Sequence, residues 1–441
     1  STILLIKDFH KFYDDPSINR TIKELSSSLK TTSHNLIISS HLFPSSEELD
    51  ELMTILNLPL PDQKELKNLI KKIAINTNSN LEEQDLNELS IASSGLTEIK
   101  VKQVTAKALA QRGKISKEDI KDILEEKKQV IARSEILEFF EAKSSQDDIG
   151  GLNVLKVWLN QRYRAFSKEA RDYGLPIPKG VLLVGAQGTG KSLTAKSISK
   201  SWSMPLLRLD VGRLFSSLVG SSEARTRETI LRAEAMSPCI LWIDEIEKGM
   251  AGSQGSGSLD SGVTARVMGT FLTWMQEKEE PVFVLATSNN IDQLPPEMLR
   301  KGRFDEIFFV DLPGAKTRSE ILDIHLKKKG RHEEAETFNL DRLATASVGY
   351  SGAELEEAVK DALFRAFDAG REIEEQDIQK ALEATYPLSK TMRENIEGMR
   401  KWAKYRARLA SSEDKESLPA DAEDVPRLAN ERRNLFIKED S

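Results

Sequence analysis

The chain has 441 residues, enough for two or three domains, and its charged residues give a formal net charge of −7. This mildly acidic total argues against general nucleic-acid binding, although it leaves room for a local basic patch. The single cysteine, Cys239, excludes a disulfide within the chain and indicates a reducing compartment. No apolar run is long enough to span a membrane, and no signal peptide is visible.

The first part of the chain resembles a later part of it. A shift of 254 positions places Leu58 on Leu312 and keeps the apolar positions aligned without a gap as far as Leu109, which falls on Leu363. We therefore predict that residues 1–132 form a degenerate copy of the later module. The alternative is that two α/β domains share helix-period apolar positions by chance.

The chain begins directly before an apolar run, Ile3–Ile6, which predicts a buried strand. Proteins seldom begin inside a core strand, so we expect a segment upstream of Ser1. After this front domain, residues 133–146 are predicted to form a linker helix that leads into a larger module.

A phosphate-binding loop is predicted where the apolar run Val181–Val184 is followed by the letters G-A-Q-G-T-G-K-S and a helix over 193–200. The glycines let the backbone turn tightly and bring its N–H groups close to phosphate oxygens. Lys191 would reach the β- and γ-phosphates, and the Ser192 hydroxyl would ligate magnesium. The predicted nucleotide-binding residues of this loop are Gly185, Gln187, Gly188, Thr189, Gly190, Lys191, Ser192 and Leu193.

A second motif, I-L-W-I-D-E over Ile240–Glu245, reads as a buried strand that ends in two carboxylates. Asp244 suits magnesium, directly or through water, and Glu245 suits the polarisation of an attacking water. Alone, this acidic pair would be an ordinary solvated strand end. Together the two motifs predict an enzyme that binds a nucleoside triphosphate with Mg²⁺ and hydrolyses it.

Further landmarks follow in order: a strand ending in S-N-N at 288–290, L-R-K-G-R-F-D at 299–305, D-L-P-G at 311–314, a helix over 316–329 and G-Y-S-G-A-E-L at 349–355. The series resembles the AAA family of hexameric ATPases, in the subgroup that carries the second region of homology. The resemblance implies an α/β fold and makes ATP or ADP the expected nucleotide. A P-loop AAA+ module, with a parallel sheet flanked by helices, would span 147–312, and a helical lid would span 313–388. A degenerate AAA-like α/β domain would precede them.

The resemblance also implies roles for single residues. Asn289 would sense the γ-phosphate, whereas Arg300 and Arg303 would be arginine fingers that reach the nucleotide of a neighbouring subunit; without the surrounding motif they would read as two solvated arginines. A finger supplied across an interface requires a ring, so a homohexamer is expected. The residues expected around the base and ribose are Ile149, Gly150, His325, Gly352 and Ala353, with His325 equally well an ordinary helix residue.

The front copy would have lost this chemistry, because Lys7 stands in the place of the magnesium carboxylate and His41 in the place of the sensor asparagine. In the active module, Leu218 replaces the aromatic residue of the pore loop, with Val219 beside it, which weakens the case for threading a polypeptide. The segment A-G-S-Q-G-S-G-S-L-D-S-G at 251–262 is predicted to be a flexible loop.

The carboxyl-terminal part is basic over 389–410, with Trp402 and Tyr405 among its lysines and arginines, and residues 411–441 are expected to be disordered. The basic helix could contact an acidic partner or nucleic acid, but we favour a helix packed on the neighbouring subunit. The front domain, the single active module and the tail P-L-S-K-T-M-R-E-N-I-E-G-M-R-K-W-A together resemble one family. It is the one encoded in algal plastid genomes as hypothetical chloroplast open reading frame 46 and found in cyanobacteria.

That resemblance implies a cytoplasmic (cyanobacterial) or chloroplast stromal ATPase linked to the regulation of photosynthesis or of inorganic-carbon use. We expect a ring that remodels an unknown protein partner through its pore or its front domain. The alternative is a nucleotide-switched scaffold that does not thread its partner. A nucleic-acid translocase is a third possibility and requires the basic helix to face the pore.

Overall fold

The computed structural model describes residues 2–12, 15–40, 52–54, 56, 58, 60–132, 136–140, 148–215, 221–249, 260–300 and 302–412. The chain divides into two compact units, Ser1–Pro59 and Leu60–Ser441. None of the helices in these described ranges has the length and apolar character needed to cross a membrane.

The described part of the first unit contains two parallel strands, a short 3-10 helix (Phe9–Phe12) and one α-helix. Strand β1 (Ile3–Lys7) pairs with β2 (Asn35–Ser39), and helix α1 (Pro16–Leu29) lies between them in sequence. The predicted strand is present, but its predicted burial is wrong, since Ile3, Leu4 and Leu5 are more than half exposed. The reason is that β1 and β2 pair only with each other in the described part of this unit.

The second unit begins with four helices, which we call the front helices: α2 (Gln63–Asn76), α3 (Glu83–Ser93), α4 (Glu98–Arg112) and α5 (Ile120–Ala132). Helices α2 and α4 each start after a residue that favours a helix N-terminus. Asp62 and Glu65 form a reciprocal capping box, and the Thr97 hydroxyl accepts a hydrogen bond from Lys100 N. Their apolar faces meet in a core of their own, around Leu66 and Val101.

Among the described residues, the larger module that follows is built on a seven-stranded sheet in the order β3-β5-β6-β7-β4-β8-β9, in which only the edge strand β3 is antiparallel. Residues of β4 alternate between two apolar cores, with Leu182 facing one and Leu183 the other, as expected of a strand covered on both faces. The strands are β3 (Leu137–Phe140), β4 (Gly180–Gly185), β5 (Leu206–Leu209), β6 (Cys239–Ile243), β7 (Val282–Ser288), β8 (Glu306–Val310) and β9 (Arg408–Leu409).

Helices cover both faces of this sheet, and a helical lid follows it. The helices of the core are α6 (Asn153–Arg164), α7 (Lys168–Asp172), α8 (Lys191–Trp202), α9 (Val211–Phe215), α10 (Ser221–Ala235) and α11 (Asp260–Glu277). The lid consists of α12 (Ala315–Lys328), α13 (His332–Thr337), α14 (Leu340–Ala346), α15 (Gly352–Asp368) and α16 (Glu375–Glu383). The lid has its own core, centred on Leu322, Leu355 and Ile378. The α/β fold with a mostly parallel sheet flanked by helices is therefore confirmed.

The basic carboxyl-terminal segment packs on its own chain. It forms α17 (Leu388–Thr391), α18 (Arg393–Arg406) and strand β9, which pairs with β8. Arg400 Nε donates to Asp311 Oδ2 over 2.8 Å, and Ala410 O accepts from the first turn of α6. The packing face expected to meet a neighbouring subunit is thus buried within the chain, although Tyr405 remains exposed.

Candidate active site

The phosphate loop joins the carboxyl end of β4 to the start of α8. Gly188 and Gly190 have φ values of +74° and +92°, a backbone conformation that side chains disfavour, so these two positions need glycine. Lys191, only 5% exposed, lies at the first turn of α8. Its Nζ donates to Gly185 O over 2.8 Å and to Ala186 O over 2.5 Å, which folds the ammonium group back into the loop.

Burial lowers the pKa of Lys191 from 10.5 to about 8, and the carboxylates of Glu247, Asp244 and Glu245 oppose that shift. The loop therefore concentrates a poorly solvated cation at the position where the sequence predicts phosphate oxygens. Thr189 Oγ1 donates to Ala186 O over 2.8 Å and stabilises the same turn.

The two predicted magnesium ligands are adjacent. Ser192 Oγ donates to Asp244 Oδ1 over 2.8 Å, and Thr287 Oγ1 donates to the same oxygen over 2.7 Å. Two neighbouring ligands of an octahedral Mg²⁺ at about 2.0–2.1 Å lie about 2.9 Å apart, so the Ser192 and Asp244 oxygens fit such an ion. Among the described residues there is no cluster of three His, Cys, Asp or Glu side chains suited to a metal.

Glu245 is held in a strained conformation beside Asn289. Its φ is +50°, and its N–H donates to Thr287 Oγ1 over 3.0 Å. Asn289 Nδ2 donates to Glu245 Oε1 over 2.8 Å, so the structure brings together the predicted base and the predicted sensor. The other carboxylate oxygen, Oε2, forms an ion pair with Lys248 Nζ.

Three residues near this pair were missed in the sequence: Thr287, Glu247 and Lys248. Glu247 is 4% exposed, and its Oε1 accepts from Asn289 N over 2.9 Å, which fixes the sensor residue by its backbone. The hydroxyl residues Thr287 and Ser288, which end an apolar strand, were a signal for Thr287. Charged residues immediately after the D-E pair were the signal for the other two.

The lid touches the phosphate loop through the first turn of α15. Ala353 N donates to Gly188 O over 3.0 Å, and a Cβ added to Gly352 would lie 3.3 Å from the same oxygen. A Cβ on Gly188 would in turn lie 2.9 Å from the Ala353 Cβ. Small residues at both places allow the amino end of a 17-residue helix, with its partial positive charge, to approach the loop.

The segment predicted to flank the base lies against lid helix α12. Gly151 N donates to Glu320 Oε2 over 2.9 Å, and a Cβ on Gly150 would lie 2.8 Å from Ile321 Cγ1. His325 is one turn further along α12 and partly buried, and this burial lowers its pKa while Glu356 opposes the shift. Ile149 O accepts from Lys156 Nζ over 2.6 Å. The predicted base-flanking residues are thus distributed over two facing segments.

The two predicted finger arginines lie at the other end of the sheet. Lys179, which precedes β4, donates from Nζ to Gly302 O over 2.8 Å, and Asp305 Oδ2 accepts from Lys179 N and Gly180 N. Residues 302–305 are therefore at the amino end of β4, about 16 Å from its carboxyl end by strand rise. Arg300 is exposed, and Arg303 is bonded to Glu297 O. Neither arginine is near the phosphate loop of its own chain.

The predicted pore-loop residues Leu218 and Val219 lie outside the described residues, as do His41 and most of the predicted loop at 251–262.

Comparison with known proteins agrees with this geometry. The model of the ATPase family associated with various cellular activities (AAA) matches residues 181–312, and an AAA+ lid domain model matches 337–380. Models of the N-terminal and second domains of SpoVK-like AAA ATPases match residues 1–58 and 64–134.

Two relatives match nearly the whole chain, and a third matches part of it. The uncharacterized AAA domain-containing protein ycf46 of Guillardia theta is 48% identical over 93% of this chain and 80% of its own length. That of Pyropia yezoensis is 44% identical over 93% and 83%. The ATP-dependent zinc metalloprotease FtsH of Caldicellulosiruptor bescii is 32% identical over 57% of this chain and 41% of its own length. The chain is an ATP-hydrolysing enzyme that belongs to the AAA ATPase family, in the group of ycf46 AAA domain-containing proteins.

Proposed function

We propose that this ATPase works as a Mg²⁺-dependent homohexameric ring in which each active site is completed by Arg300 and Arg303 of the next subunit. The observation that carries the proposal is the position of these arginines at the amino end of β4, whereas Lys191 follows its carboxyl end. A group about 16 Å away cannot reach the phosphates bound to its own loop, but a second copy can supply it.

Within one site the roles follow from the contacts. Lys191 and the loop N–H groups would bind the phosphates of ATP, while Ser192 and Asp244 would hold Mg²⁺, which supplies charge neutralisation at the phosphate oxygens. Glu245 would accept a proton from the attacking water. Asn289 would orient the Glu245 carboxylate and this water. Because Gly352 and Ala353 contact the phosphate loop, a change of nucleotide would move the lid relative to the sheet.

The front of the chain is proposed to be a degenerate AAA module that serves for docking. Asp8 follows β1 with a φ of +56° and precedes a short 3-10 helix (Phe9–Phe12), just as Glu245 has a φ of +50° and precedes one at Ile246–Gly249. The strand before each of these turns also pairs in parallel with a neighbour: β1 with β2, and β6 with β7. Lys7 would replace Asp244, which removes the metal ligand. The front helices would then be the lid of this copy.

The mechanical output is proposed to be remodelling of a protein partner, in the cytoplasm or the chloroplast stroma, with a role in photosynthesis suggested by the family resemblance alone. The competing function is a nucleotide-switched scaffold, which is favoured by Leu218 in place of an aromatic pore residue. Leu218→Ala distinguishes them, because a scaffold retains its activity on the partner. Nucleic acid is not the proposed partner, since the basic helix α18 is tied to Asp311.

Mixing two inactive variants tests the shared site. Lys191→Ala removes phosphate binding but keeps the arginines, whereas Arg303→Ala keeps the nucleotide loop. In random 1:1 rings about a quarter of the interfaces pair an intact loop with an intact arginine, so roughly a quarter of the wild-type ATPase rate should return.

The matched control is a mixture of Lys191→Ala with Glu245→Gln, in which every site lacks a residue of its own and no activity should return. Particle mass is followed in parallel, and the rate per subunit should rise with protein concentration as rings form. An Arg303→Ala protein that is fully active as a monomer would contradict the proposal.

A further inference from the structure

Both carboxylate oxygens of Glu245 are already bonded within the chain. Asn289 Nδ2 donates to Oε1 over 2.8 Å, and the ammonium group of Lys248 is paired with Oε2. The first contact joins the predicted base to the predicted sensor. The second contact has no place in the mechanism described above, and its cation is on the outer side of the site, with 70% of the Lys248 side chain exposed.

The local backbone places Lys248 on this oxygen. Glu245 adopts a left-handed conformation and is followed by one turn of 3-10 helix at Ile246–Gly249. Lys248 N donates to Glu245 O over 2.9 Å, so residues three apart lie on the same side of the turn. Ile246, only 2% exposed, anchors that turn in the apolar core. The ion pair is therefore a consequence of a fixed turn, while the lysine side chain itself remains free to leave.

The contact competes with the chemistry expected of Glu245. A general base must offer a lone pair within about 2.6–3.2 Å of the water whose proton it takes. A cation bound to Oε2 occupies one approach to the carboxylate by which that water could be bound. The carboxylate also raises the pKa of Lys248, so this lysine is charged throughout the physiological pH range.

We propose that Lys248 is an inhibitory latch, a positioning residue that restrains Glu245 in the resting subunit and must swing away for rapid hydrolysis. The inference rests on the proposed role of Glu245 as the base. Its exposure lets Lys248 exchange partners without disturbing the buried turn. An exposed ion pair of this kind is worth little to stability, so removing it should change the rate without unfolding the chain.

The test is steady-state ATP hydrolysis by the assembled full-length enzyme, with rates expressed per ring. Lys248→Met, which keeps the length of the side chain but not its charge, should raise kcat about two- to fivefold, the range an exposed ion pair can contribute. The KM for ATP should stay within about twofold, because the phosphate loop is untouched. Lys248→Arg retains the ion pair and should hydrolyse ATP at the wild-type rate.

Salt gives a second readout that a merely structural role would not move. Screening weakens exposed ion pairs, so the ratio of the Lys248→Met rate to the wild-type rate should fall towards one as ionic strength rises. Lys128→Met is the matched control, since Lys128 forms a comparable exposed pair with Glu125, three residues away on α5. It should leave the rate and its salt dependence unchanged.

Two results would overturn the latch: a kcat of Lys248→Met at or below that of wild type, or equal activation by Met and Arg at this position. The parent assignment is tested separately by Glu245→Gln. If Glu245→Gln hydrolyses ATP at the wild-type rate, the base is elsewhere and the proposed mechanism fails, whatever Lys248→Met does. If Glu245→Gln is inactive and Lys248→Met is not activated, only the latch fails.

Discussion

The front helices and the lid share their helix starts and turns, but these helix starts contact different parts of the molecule. Under the shift of 254, the start of α4 at Glu98 falls on the start of α15 at Gly352, and each helix is preceded by a hydroxyl cap, Thr97 or Ser351. The glycines two residues before these caps, Gly95 and Gly349, have φ values of +84° and +83°. The two sets of helices thus share their turns as well as their periodicity.

The difference lies in what the shared helix start touches. In the lid, Gly352 and Ala353 meet the phosphate loop, whereas the front helices carry Glu98 and Ile99 at the same places. Ile99 is 68% exposed, and the neighbouring Gly95 lies instead against the carboxyl end of α10. Buried apolar faces therefore preserve the helical fold, while two small residues at a helix start decide whether that helix can approach the phosphate loop.

The largest effect should come from Gly352→Glu, which gives the lid the residue that the front helices carry at the corresponding position, Glu98. In Gly352→Glu the new side chain meets Gly188 O, and its carboxylate lies near the predicted phosphates. Two like charges about 4 Å apart cost on the order of 4 kcal/mol at an effective dielectric constant of 20, so ATP affinity should fall roughly a thousandfold. Titration with a fluorescent ATP analogue measures this.

The reciprocal change, Glu98→Gly, is the control and should leave ATP affinity at the wild-type value. If Gly352→Glu binds ATP normally, the first turn of α15 does not face the phosphates. If Glu98→Gly alters affinity, the front helices take part in binding and the comparison between the two sets of helices fails.

The second effect concerns Lys127 of α5, which is buried near Cys239 of β6. The side chain is 2% exposed, and its burial lowers the pKa from 10.5 to about 8. Keeping this charge inside the protein costs on the order of 3 kcal/mol. Lys127→Met, which has similar length and no charge, should therefore raise the free energy of unfolding at pH 7 by roughly that amount.

The pH dependence has a definite sign. Between pH 8 and 10.5 the unfolded chain binds more protons at Lys127 than the folded chain does, so wild-type stability rises with pH across this window. The advantage of Lys127→Met should accordingly be full below pH 8 and vanish above pH 10.5. Urea unfolding at pH 7, 9 and 10 measures it, with the exposed neighbour Lys128→Met as control. A variant less stable than wild type at pH 7 would mean that the ammonium group is well paired.

Local motifs were predictable from the sequence, because the chemistry of phosphate binding fixes their spacing. The helix after the phosphate loop was predicted over 193–200 and spans Lys191–Trp202. The two polar strand ends picked out by the sequence also meet, since Asn289 donates a hydrogen bond to Glu245. The roles of these residues in catalysis, and those of Arg300 and Arg303, remain predictions.

The missed features depend on contacts between remote segments. Strand β9 has only two residues and pairs with β8, about a hundred positions earlier in the chain. No local sequence pattern therefore predicts it. The exposure of β1 and the packing of α18 on its own chain were likewise decided by tertiary partners. Lys248 was missed because an i,i+3 pair with Glu245 requires the left-handed turn that only the structure reveals.

The third effect concerns Gly95 and Gly349, the corresponding positive-φ glycines of the front helices and the lid. A Cβ on Gly95 would lie 2.1 Å from Ala235 O, which is backbone and cannot move aside, whereas a Cβ on Gly349 would first meet the Ser389 hydroxyl. Both alanine variants pay the left-handed conformational cost of about 1–2 kcal/mol, but Gly95→Ala should lose more. Hydrogen exchange should show faster opening of the front helices in Gly95→Ala. A larger loss in Gly349→Ala would show that the front helices do not depend on this contact.

The smallest effect tests whether the two sets of helices are stabilised by equivalent ion pairs. Arg371 binds the buried Asp377 through two hydrogen bonds of 2.6 and 2.8 Å, and Arg112 binds the buried Asp119 at the corresponding turn. Each aspartate also accepts from a backbone N–H three residues earlier. Arg371→Ala and Arg112→Ala should therefore each lower the Tm at pH 7 by a few degrees, and by similar amounts, because each leaves a carboxylate without its charged partner.

Acid distinguishes this electrostatic loss from a simple loss of packing. The hydrogen bonds from Arg371 hold the pKa of Asp377 below 3.8, so the stability they provide is present above that pH and is lost as the pH falls through the lowered value. The Tm difference between wild type and Arg371→Ala should therefore shrink below about pH 4. A difference that is the same at pH 3 and pH 7 would mean that the arginine acts through packing of its aliphatic stem, and the ion pair would not be what keeps the lid turn in place.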